Sequence, residues 1–66
     1  MNAQKIKGRI VEEGSSISKA AKFLGIAPYT LSKKLSGKAP MTLDEARGLK
    51  EMLNISDSEI NTYFFN

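Results

Sequence analysis

Hydroxyl and ammonium groups between Ser15 and Lys38 carry most of the chemistry available to this 66-residue chain. The stretch holds Ser16, Ser18, Thr30, Ser32 and Ser36 among Lys19, Lys22, Lys33, Lys34 and Lys38, with Tyr29 near its centre. Such groups donate hydrogen bonds and positive charge, which suits recognition of a polyanion. Bond-breaking chemistry is poorly provided for. With no cysteine and no histidine there is no disulfide, no thiolate nucleophile, no Cys/His zinc cluster and no imidazole base. The carboxylates are scattered without the spacing of an acid–base pair, so no enzyme is expected, and neither a cofactor nor a small-molecule ligand.

Charge is divided along the chain. Residues 1–38 hold eight basic side chains against two acidic ones, a net +6, whereas residues 39–66 hold two against five, a net −3. A basic half joined to an acidic half suggests one face built for a polyanion and another kept from it. The same lysines would also serve as a plain solvated surface. Apolar residues at 41% and charged residues at 26% fit a folded globular domain. No apolar run reaches the roughly 18 residues of a membrane span, and the first residues lack a signal-peptide core, so a single cytoplasmic domain over 1–66 is expected.

Positioning these groups falls to short helices separated by glycine and proline. The pattern predicts an all-α fold of five short helices. The first covers about Asn2 to Glu13, with Ala3, Ile6 and Ile10 on one face and Gly14 closing it. Gly8 inside it suggests close packing or weak helicity. Ser15 or Ser16 can cap a second helix, whose apolar stripe is Ile17, Ala20, Ala21 and Leu24. Gly25-Ile26 breaks it, and Pro28 opens a third helix to about Ser36 with Leu31 and Leu35 facing inward. Thr42 with Glu45 forms a capping box for a fourth, lined by Leu43, Ala46, Leu49 and Leu53. Ser56 with Glu59 opens the fifth, carrying Ile60, Tyr63 and Phe64, with a short extended stretch possible at Tyr63–Phe65.

Small Ala21, turn-forming Gly25, plugging Ile26 and buried Leu31 have the intervals of a helix-turn-helix. At residues 16–38, and again at Met41-Thr42-Leu43-Asp44-Glu45-Ala46, the sequence resembles the Cro/C1-type (XRE-like) helix-turn-helix regulators. It is especially similar to small Cro-like proteins of phages of Gram-positive bacteria. The resemblance spans about residues 3–55 and implies a lambda-repressor-like bundle that lays the third helix in the major groove of double-stranded DNA. Ala27, Pro28, Tyr29 and Lys33 would then meet base edges. Lys33 would donate to guanine O6 or N7, and Ala27 and Pro28 would touch a thymine methyl. Ser16, Ser18, Lys19, Thr30, Ser36 and Lys38 would hold phosphates. Three positions depart from the pattern. Ile17 stands where the family often has a DNA-contacting Gln, Lys34 where it has an apolar residue, and Ala27 where it has a capping Ser or Thr. From the residues alone, Tyr29 could instead pack its ring over the second helix, and Lys19 and Lys22 could be a solvated face.

Tyr63, Phe64 and Phe65 crowd the last residues. Adjacent Phe64 and Phe65 cannot both enter one core, so either one is left for a homodimer contact or both rings fold back on the monomer. The expected function is a transcription regulator, most simply a Cro-like repressor of phage or prophage origin. The alternative is a protein-interaction module of the antirepressor or antitoxin type.

Overall fold

Side chains and glycines set where each helix starts and stops. In a computed structural model that describes residues 1–65, the helices are α1 (Ala3–Glu12), α2 (Ile17–Leu24), α3 (Pro28–Leu35), α4 (Leu43–Met52) and α5 (Ile60–Phe64). A 3-10 turn, Asp57–Glu59, leads into α5. Among the described residues there is no strand, and no helix is long and apolar enough to cross a membrane. The architecture is a small all-helical bundle, as the sequence pattern predicts.

Asn2 caps α1 by accepting from the Lys5 N–H, and Ser16, rather than Ser15, caps α2 by accepting from the Lys19 N–H. Thr42 and Glu45 form the full reciprocal capping box of α4. At Ser56, the Glu59 carboxylate accepts from the backbone N–H at 3.1 Å and from the hydroxyl at 3.0 Å. Each partnership satisfies donors that a helix start leaves open. Gly14, Gly25 and Gly37 adopt φ values of 71°, 75° and 80°, the left-handed conformation that lets the chain leave a helix abruptly.

The core is Ile6, Ile10, Ala20, Ala21, Leu31, Leu35, Leu49, Leu53 and Ile55, all nearly inaccessible to solvent. Around it pack Ala3, Ile17, Leu24, Ile26, Met41, Met52, Tyr63 and Phe64. Leu43 departs from expectation: it is 67% exposed. Six residues separate it from Leu49, which turns it roughly 120° around the helix from the core face. The stretch Tyr63–Phe65 is also not extended, since the Phe65 N–H donates to the Asn61 carbonyl in a helical bond of 3.2 Å.

Of the two alternatives for Gly8, close packing does not hold, and a different glycine is the tightly packed one. A Cβ placed at Gly8 would meet nothing within 4 Å, so no close packing calls for glycine there. At Gly48 a Cβ would lie 2.5 Å from Leu24 Cδ2. It is Gly48, in α4, that lets α2 come close.

Candidate nucleic-acid interface

The α2–α3 unit is assembled by small residues and a backbone turn. Ala20 and Ala21 are completely buried, so α2 presents a low surface against which α3 and α4 settle. Gly25 ends α2 in the left-handed conformation, and the Ile26 N–H returns to the Ala21 carbonyl at 3.0 Å. Ile26 packs on the core, while Leu31 and Leu35 carry the inner face of α3. Ala27 makes no side-chain cap, and its extended backbone delivers Pro28 at the first helical position, where its missing N–H costs nothing.

This arrangement sends a defined set of side chains outward. Ala27, Pro28 and Tyr29 are exposed at the start of α3, with Tyr29 at 74%. The Tyr29 ring therefore does not pack over α2. Its partner is Lys33, one turn along, whose ammonium lies 5.5 Å from the ring centre. Ala27, Pro28 and Tyr29 thus stand together at the start of α3, and half-buried Lys33, in its last turn, meets them through the Tyr29 ring. Ser16, Ser18 and Lys19 are exposed at the start of α2, and Ser36 and Lys38 just after α3, while Thr30 is half-buried. The Ser16 oxygen already serves as the cap, which leaves its hydroxyl proton to donate, whereas the Ser36 hydroxyl donates to the Lys33 carbonyl at 3.0 Å. Of the two, Ser16 is the better anion donor.

Not every cation of the basic half is available at the surface. Lys34 stands where an apolar side chain was expected and reaches Glu45, with Nζ 2.6 Å from Oε1 and also bonded to Oε2. Both side chains are only 14% exposed, so the pair joins α3 to the start of α4. The Lys34 ammonium, followed by the Thr42 N–H, holds the Glu45 carboxyl below the ordinary carboxylate range.

Arg9 is committed in the same way. Its guanidinium donates to the Leu53 and Asn54 carbonyls, each at 3.0 Å. It also lies 3.4 Å from the Tyr63 hydroxyl and 3.5 Å from Glu59. The Tyr63 hydroxyl is the chief influence raising its already high pKa. Asn54, with a φ of 55°, adds a bond from Nδ2 to Glu13 at 2.9 Å, and the Asn2 N–H donates to the Tyr63 carbonyl at 2.9 Å. This clasp fixes the C-terminal segment against α1. It also settles the three terminal aromatics: Tyr63 and Phe64 pack against the protein's own core, and Phe65, 76% exposed, is the one left outside. Of the adjacent pair Phe64 and Phe65, it is Phe65 that stays outside the core.

Arg9 and Gly48 were the residues that sequence reasoning passed over, and Glu45, expected only in the capping box, also takes Lys34. Arg9 had a signal, being an arginine set directly beside the core position Ile10. Among the described residues, no group of three or more acidic, histidine or cysteine side chains could hold a metal ion.

Comparison with curated proteins and with solved structures gave no match for this chain. A family model described as a protein of unknown function, DUF739, matches residues 1–66, and the chain belongs to that family.

Proposed function

We propose that this protein is a sequence-specific binder of double-stranded DNA, a Cro/C1-type helix-turn-helix regulator that lays α3 in the major groove and acts as a repressor in the cytoplasm. The observation that carries the reading is the start of α3, where Ala27, Pro28 and Tyr29 stand exposed on a helix whose inner face is locked by Leu31 and Leu35. A rigid short helix with its first turn free is what groove reading requires. Lys33 reads guanine, Ala27 and Pro28 meet a thymine methyl, and Tyr29 bonds a base or a phosphate. Ser16, Ser18, Lys19, Thr30 and Lys38 hold the phosphates on either side, and Ser36 contributes less because its proton is already donated. Two copies on a palindromic site would place their α3 helices about 34 Å apart, one turn of DNA.

Selection from random duplexes, followed by titration of the enriched sequence, tests this directly. Lys33→Ala is expected to relax base preference by about 1–3 kcal/mol, and Lys38→Ala to weaken all sequences alike while flattening the salt slope by about one. A failure to bind any duplex at about 50 mM salt would overturn the proposal.

A further inference from the structure

Of the two lysines in α3, only one is held by a carboxylate. Lys34 is bound to Glu45, whereas Lys33 forms no ion pair among the described residues. The backbone beneath Lys33 is pinned all the same. Its carbonyl accepts from the Ser36 hydroxyl at 3.0 Å and from the Lys38 N–H at 2.9 Å. From that fixed root rises a half-buried side chain on a flexible four-carbon stem, and its ammonium rests 5.5 Å from the centre of the Tyr29 ring. Tyr29 is 74% exposed and takes no part in the core, so packing does not account for the ring.

The two groups suit different features of a base edge. An ammonium donates to guanine O6 and N7, while an aromatic ring meets the C5 methyl of thymine, an apolar group facing the major groove. Base pairs are stacked about 3.4 Å apart, so two groups separated by 5.5 Å fall on neighbouring pairs. Ala27 and Pro28 continue the apolar side of the helix start, away from Lys33. A lysine stem loses rotamer freedom when it binds, and a ring that restrains it beforehand lowers that cost.

We infer that Tyr29 and Lys33 read DNA as one unit: the ring holds the ammonium for a guanine and itself covers the methyl of a thymine in the adjacent base pair. Tyr29 is then a positioning residue for Lys33 and a specificity determinant in its own right. The inference rests on the DNA-binding function proposed above and adds to it the pair of bases that the helix prefers.

The test uses the full protein and the duplex enriched by selection, with Lys33→Ala marking the guanine as the base whose preference relaxes. Tyr29→Phe keeps the ring and Tyr29→Ala removes it. Tyr29 lies outside the core, so both variants should keep the urea midpoint of the parent. In the free protein, the ring should shift the Lys33 ε-protons upfield in the parent and in Tyr29→Phe, but not in Tyr29→Ala. On DNA, Tyr29→Ala should lose about three- to tenfold of the preference for that guanine, while Tyr29→Phe retains it. Uracil in place of the adjacent thymine should weaken the parent and Tyr29→Phe about fourfold, and Tyr29→Ala much less. Unshifted Lys33 protons, an unchanged guanine preference in Tyr29→Ala, or a selected site with no thymine beside that guanine would overturn the inference. So would full tolerance of uracil by the parent. Each of these leaves the proposed function standing, whereas binding to no duplex would overturn both.

Discussion

The two halves of this small protein are held by opposite means. In the α2–α3 unit the geometry is set by backbone and by small residues: completely buried Ala20 and Ala21, the left-handed Gly25 and the Ile26–Ala21 bond. In the C-terminal half it is set by polar side chains, with Arg9 gathering Leu53, Asn54, Glu59 and Tyr63. The difference decides what each half can show to solvent. Where the backbone does the fixing, Tyr29, Ser18 and Lys19 stay free for a ligand. Where side chains do it, Arg9, Glu45 and Glu59 are used internally, and apolar Leu43 and Phe65 are left outside.

Leu31→Ala breaks the comparison most severely. Leu31 is fully buried, so its truncation should cost about 2–5 kcal/mol, a large part of the stability of so small a domain, and a collapsed urea midpoint would show it. Arg9→Ala should act regionally. Amide hydrogen exchange is expected to quicken at Asn2 and residues 55–65 while the Ile26 and Leu31 amides keep their protection, and uniform loss across the chain would merge the two halves into one unit.

Acid should act on the side-chain links before the backbone ones. Glu45, mainly through Lys34, and Glu59, through the Ser56 N–H and hydroxyl, both titrate below the ordinary value of 4.5. The unfolded chain therefore takes up these protons first as pH falls. Their contribution is intact above that value and is lost progressively toward the lower folded pKa values, so urea midpoints should decline on going from about pH 6 to about pH 3. Glu45→Gln should flatten part of that decline.

The smallest effects come from the two helical glycines. Gly8→Ala, in open space, should raise stability by about 0.5–1 kcal/mol. Gly48→Ala should forfeit that gain, because its methyl would meet Leu24 Cδ2 at 2.5 Å and Leu24 is packed on the core. A rise at Gly48 equal to that at Gly8 would show that α2 and α4 can part without cost.

How much of this was legible in the sequence follows the distance over which each feature acts. The helix limits, the Thr42–Glu45 box, the Gly25 turn and the stripe from Ile17 to Leu24 all rest on neighbours within a turn or two, and their spacing reveals them. The exposed start of α3 was legible for the same reason. The Arg9 clasp was not, because, Glu13 apart, its hydrogen-bond partners lie 44 to 54 residues away and two of them are backbone carbonyls, which any residue type supplies. Lys34 looked like a misplaced core residue until Glu45, 11 residues on, gave it a partner. Gly48 went unnoticed because a missing side chain leaves no pattern, and only the approach of α2 distinguishes it from Gly8.

The bond from the Asn2 N–H to the Tyr63 carbonyl brings the first and last parts of the described chain side by side. A short peptide bridge between them would close the polypeptide into a ring without disturbing a helix. The opened site could then be moved to a loop such as the one between Gly37 and Met41. A circularly permuted protein of this kind would keep every helix yet reverse the order in which α1 and α5 leave the ribosome. Its refolding rate, set against that of the parent, would report how early in folding the two ends find each other.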